Sequence, residues 1–110
     1  MGYQEKKEMR PDNLKEIRNK FDLTQHEFAM LLNLSSGTVI SRMEKSVRHN
    51  LNLNGFAKWF LEILWVLPAE SVDIKHELAS NGMLRTTYKI LDVFFKSEKF
   101  VNRFYTRGYK

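Results

Sequence analysis

The sequence predicts an all-α protein, and three observations carry that prediction. Apolar residues recur at three- and four-residue spacing along most of the chain. Capping and stop residues divide this pattern into segments of helical length. Strand signals are thin: Val93, Phe94 and Phe95 form the one candidate run, and the period around it favours a helix.

Pro11 and Asp12 open the first helix, and Leu14, Ile17 and Phe21 form its apolar stripe over residues 13–20. Thr24 opens the second. Its hydroxyl can cap free amides, and Glu27 three residues on completes a Thr-x-x-Glu box. Phe28, Leu31 and Leu32 are its buried face, and Asn33, which tolerates the left-handed conformation, ends it. Ser35 and Ser36 offer a cap for a third helix reaching about Lys45, with Ile40 and Met43 inward. Residues 47–54 read as a loop. Residues 56–67 are apolar nearly all round, which requires burial on more than one side, and Pro68 stops them. Residues 69–80 are helical in composition up to the Asn81-Gly82 stop, and residues 84–95 resume as a further helix.

The 110 residues suit one compact unit with an extension, and 43% hydrophobic content is that of a folded chain. A net charge of +5 favours an anionic partner, with nucleic acid the first candidate. With no cysteine, disulfides and thiolate metal sites are excluded and a reducing compartment is expected. Residues 1–13 lack the apolar core of a secretion signal, and the run 59–67, interrupted by Glu62, falls short of the ~20 apolar residues of a bilayer span. A soluble, cytoplasmic protein without a membrane role is expected. His26, His49 and His76 have no metal-binding spacing, and no nucleophile stands in a pattern with a base. Neither a cofactor, a metal nor an enzymatic activity is expected.

The informative stretch is 14–48, whose order is helix, tight connection, capped helix, short turn, capped helix. In the helix-turn-helix arrangement the second helix of the pair enters the DNA major groove while the first crosses the backbone. Ile17-Arg18, Leu23-Thr24-Gln25 with Glu27-Phe28-Ala29, Leu32 to Ser35, and Val39-Ile40-Ser41-Arg42-Met43-Glu44-Lys45 together resemble the Xre/Cro-type, lambda-repressor-like family. The resemblance covers about the first two-thirds of the chain. It implies a helix-turn-helix bundle at residues 11–68; residues 69–105 lie beyond the resemblance and are expected to form a helical extension serving dimerisation. It implies an operator-binding repressor that acts as a homodimer on palindromic double-stranded DNA. It also implies a close helix approach at Ala29, Asn33 standing where the family usually has glycine, and an Arg18–Glu44 ion pair tying the first helix to the third.

The segment from Thr24 to Glu44 is one residue longer than the family's common pattern, and the extra residue is placed in the turn around Leu34 to Ser36. Ile40 and Met43 then face inward, and Thr38, Ser41, Arg42 and Lys45 outward. The other register would bury Arg42 without a partner, a cost that argues against it. Arg42 is the leading candidate for reading a base, because its fork matches both acceptors of a guanine edge. Gly37, Thr38 and Ser41 are the further base candidates, Gly37 by allowing close backbone approach. Gln25, Ser36, Lys45, Arg48, His49 and Asn50 are the phosphate candidates. Trp59, Ile63, Trp65, Phe94 and Phe95 supply apolar surface for the dimer. Residues 54–68 also look like the fourth helix of helix-turn-helix antitoxins, which leaves a toxin as a second possible partner. A protein–protein module that keeps the fold without binding DNA is the remaining alternative.

Overall fold

The structure is a computed structural model that describes residues 10–45, 53–97, 99, 101 and 102. Among them are five α-helices and no strand: α1 (Pro11–Lys20), α2 (Gln25–Leu31), α3 (Gly37–Glu44), α4 (Gly55–Val66) and α5 (Ile74–Phe95). No helix among the described residues is long and apolar enough to cross a membrane. The expected loop over 47–54 lies outside the described residues except for Leu53 and Asn54.

Local chemistry sets the helix ends. Pro11 stands at the first turn of α1, where its missing N–H loses nothing. Both α1 and α2 stop in a Schellman motif, a left-handed residue followed by an apolar one. Asp22 (φ 57°) and Asn33 (φ 59°) take the left-handed position. The amide of Leu23 donates back to the Arg18 carbonyl at 3.0 Å, and that of Leu34 to the Ala29 carbonyl at 2.8 Å. Thr24 Oγ1 accepts from the Glu27 amide at 3.1 Å, and Glu27 Oε1 accepts from the Thr24 amide at 2.8 Å, so the expected capping box is closed. Asn54 caps α4 by accepting from Ala57, and Asp73 caps α5 by accepting from His76.

These helices bury one continuous core. Leu14 and Ile17 of α1 with the cap residue Phe21, Phe28 and Leu31 of α2 with the cap residue Leu32, Ile40 of α3, and Phe60, Leu61, Ile63 and Leu64 of α4 share it. The inner face of α5 adds Ile74, Leu78, Ile90 and Phe94. Helix α2 packs on α3 and α5, and α1 packs on α3 and α4.

One element departs from expectation, and the expected stop at Asn81-Gly82 stands as a break at Gly82. Residues 69–73, expected to be helical, are not: the Ser71 amide and hydroxyl both donate to the Pro68 carbonyl (3.1 and 2.7 Å), forming a turn that overrides the helix-forming Ala69 and Glu70. Helix α5 is two segments joined at Gly82, whose φ of 83° and ψ of 178° only glycine adopts at low cost. The buried Thr86 hydroxyl donates to the Gly82 carbonyl at 2.7 Å across that joint.

Two lysines tie distant segments together. Lys20 Nζ donates to the carbonyls of Leu64 (2.7 Å), Trp65 (3.0 Å) and Leu67 (2.8 Å). These carbonyls lie at and just beyond the C-terminal end of α4, where helical carbonyls lack partners and a cation is favoured. Burial holds the Lys20 pKa below its ordinary value, with Glu16 acting in the opposite direction. Replacing Lys20 with methionine keeps most of the volume and removes all three bonds. Urea unfolding is expected to show a loss of about 2 kcal/mol. An unchanged midpoint would mean that water serves those carbonyls as well as the ammonium does. Lys75 likewise reaches Glu27 Oε1 at 2.7 Å and the Asp22 carbonyl at 3.1 Å, joining α5 to α2. The hydrogen bond from Lys75, helped by the Thr24 amide, holds Glu27 below the usual carboxylate range.

Candidate functional site

Helices α2 and α3 meet at a close corner. A Cβ built on Gly37 would lie 3.0 Å from the His26 backbone nitrogen and 3.2 Å from the Gln25 carbonyl carbon. An added carbon would press on the α2 backbone here, so glycine favours the close approach of the start of α3 to the start of α2. This corrects the expected outward role of Gly37: the room its missing side chain leaves is taken by α2. Ala29, almost fully buried, adds a second small contact. Ser36 stands at the cap position of α3, but its side chain makes no capping hydrogen bond and is exposed.

A polar network fixes the inner side of α3. Arg18 Nε donates to Glu44 Oε2 at 2.6 Å and Nη2 donates to Oε1 at 3.2 Å, while Nη1 donates to the Leu23 carbonyl at 3.0 Å. Only 15% of the Arg18 side chain and 6% of the Glu44 side chain are exposed. The ion pair that the resemblance implies is therefore present, with forked geometry. Gln25 Nε2 also donates to Glu44 Oε1, at 3.0 Å. The Gln25 amide is half-buried with one of its two N–H groups committed to this carboxylate, and it helps to seat α3 on α2.

With Glu44 and the fully buried Ile40 inward, and Met43 packed against the core, α3 turns a defined face outward. Thr38, Arg42 and Lys45 are exposed, and Ser41 and Val39 are half-buried. The register that would have buried Arg42 is not adopted. Arg42 pairs with no acid among the described residues. Glu44 and Glu27 are already held by Arg18 and Lys75. The outward face thus carries uncompensated positive charge from Arg42 and Lys45 on a short rigid rod. Its eight residues span ~12 Å at 1.5 Å each. Arg48, His49 and Asn50 lie outside the described residues.

His26 was not singled out from the sequence. It is exposed at the start of α2, and its backbone lines the spot under Gly37. Between Gln25 and Glu27 it reads as one more polar position, and only the α2–α3 contact sets it beside α3.

The five residues expected to form a dimer surface separate into two groups. Ile63 and Phe94 are fully buried within the chain and have no surface to offer a second copy, which corrects their assignment. Trp59 and Trp65 are half-buried, and Phe95 is 49% exposed. The Phe95 ring stacks on Trp59 at 6.4 Å, and Trp59 lies 6.2 Å from the exposed Phe56. Comparison with protein-family models, with curated proteins and with solved structures returns no match.

Proposed function

We propose that this protein is a sequence-specific DNA-binding regulator of helix-turn-helix type, in which α3 reads the major groove and α2 crosses the backbone. On this reading two copies bind a palindromic operator, and repression follows by keeping RNA polymerase off the promoter. The observation that carries the proposal is Arg42. It stands exposed and unpaired on the outward face of a helix whose inward face is fixed by Ile40 and the Arg18–Glu44 fork. An α-helix fits the major groove, and an arginine so placed can take both acceptors of a guanine. Thr38 and Ser41 flank it for further base contact, and Lys45 is placed for phosphate. The chain's +5 charge favours the encounter.

The test is selection from a pool of genomic fragments, with the parent chain and Arg42→Ala compared at two salt concentrations. Enrichment of a palindromic sequence is expected. The variant is expected to lose about 1–3 kcal/mol of discrimination at one base position. Binding that depends on salt and is indifferent to Arg42 would reduce the interaction to phosphate attraction. Absence of binding at either salt would refute the reading and move the function to a protein partner.

A further inference from the structure

Beyond Gly82, α5 has two distinct faces. Thr86, Thr87, Ile90 and Phe94 are buried against the rest of the chain. On the other side Leu84, Tyr88 and Phe95 are 59%, 63% and 49% exposed, and Leu91 completes the row half-buried. These four follow one another at spacings of four, three and four residues. That is the repeat with which one helix packs along another. Three large apolar side chains in a row on the surface mark an interaction face rather than scattered exposure.

The charges beside this row say what covers it. Arg85 and Asp92 border the same shallow groove, seven residues apart on one flank of the row. On the other flank, Thr87 and Phe94 belong to the chain's own core. In an antiparallel pair of these helices, Leu84 meets Phe95 of the second copy and Tyr88 meets its Leu91. Arg85, lying between Leu84 and Tyr88, then falls opposite Asp92, lying between Leu91 and Phe95. Two-fold symmetry makes that ion pair twice. A parallel two-fold pair would instead set the Arg85–Asp92 flank of one copy against the core-packed Thr87–Phe94 flank of the other, and the two charges would not meet. The existing Asp92–Lys96 contact, 3.3 Å and well exposed, is too weak to hold Asp92 back.

We propose that the protein self-associates through this face, α5 against α5 in antiparallel order about a two-fold axis, with paired Arg85–Asp92 bridges closing the one open flank. The proposal rests on the two-copy part of the reading above, and it moves the interface from the buried Ile63 and Phe94 to the exposed row. The stacked Phe95–Trp59 rings carry the apolar surface on towards α4.

The experiment is sedimentation equilibrium of the full chain without DNA, from low to high micromolar concentration, with circular dichroism to confirm that each variant is folded. A dimer is expected. Arg85→Asp and Asp92→Arg should each weaken it about tenfold or more, because like charges then face each other twice. Carrying both changes in one chain should restore the parent constant, and so should mixing the two single variants. Tyr88→Glu should abolish the dimer. A chain that stays monomeric throughout, or a dimer indifferent to both single changes, overturns the proposal. Operator selection reads separately: a palindrome bound by a chain that is monomeric when free removes this interface and keeps the DNA reading. A dimer with the swap pattern and no operator does the reverse.

Discussion

Glu44→Ala is expected to cost about 3 kcal/mol of stability, a large part of the roughly 5–15 kcal/mol that holds a domain of this size together. The carboxylate accepts from Arg18 Nε and Nη2 and from Gln25 Nε2, and its side chain is almost closed to solvent. Removing it leaves a guanidinium that is mostly buried with one remaining partner, the Leu23 carbonyl. That uncompensated charge accounts for most of the cost, more than the lost attraction does. Urea denaturation of the single variants Glu44→Ala and Arg18→Ala and of the double variant measures the pair directly. The double variant should be less destabilised than the sum of the singles, because neither charge is then left alone. A loss below about 1 kcal/mol for Glu44→Ala would reduce the bridge to an ordinary surface contact. The expected effect on DNA binding is also large, since α3 loses the anchor that sets which of its residues point outward.

Phe94 and Phe95 adjoin in sequence and pack edge to face at 5.0 Å, yet their alanine variants should differ sharply. Phe94 is fully buried. Removing its ring leaves a cavity in the core and is expected to cost about 3–5 kcal/mol. Phe95 is half exposed, and its loss removes two ring contacts, with Phe94 and Trp59, each worth about 1 kcal/mol. Thermal or urea unfolding at concentrations low enough to keep the chain monomeric separates these values from any effect on association. Similar losses at the two positions would mean that the end of α5 is not docked on the core as described.

The order of helices was legible from the sequence because caps and periods are local. The Thr24–Glu27 box and the left-handed Asn33 needed only a few neighbouring residues to be read. Asp22 performs the same role as Asn33 and was missed, because aspartate is as much at home at a helix start as at its end. What was not legible depends on distance. Whether the Gln25 amide points outward or onto Glu44, nineteen residues away, depends on how α3 settles against α2. Gly37 reads equally well as room for a ligand or room for a helix, since an absent side chain has no direction. Phe94 and Phe95 are chemically identical, and only the roll of α5 about its axis sends one inward and the other out. Ile63 was misassigned for a related reason: α4 is apolar on all sides, so its pattern does not tell core from surface. Residues 69–73 have helix-forming composition, but the turn held by Ser71 and Pro68 prevails.

The lysine tethers also bear on how fast the molecule assembles. Helix formation is local and takes on the order of a microsecond. The Lys20 bonds close the chain across 44 to 47 residues, and those of Lys75 across 48 and 53. Each closure has an entropic cost that must be met before its contacts form. Closures of this length slow folding relative to local helix formation, so the return of α4 and α5 to α1 and α2 is expected to set its pace.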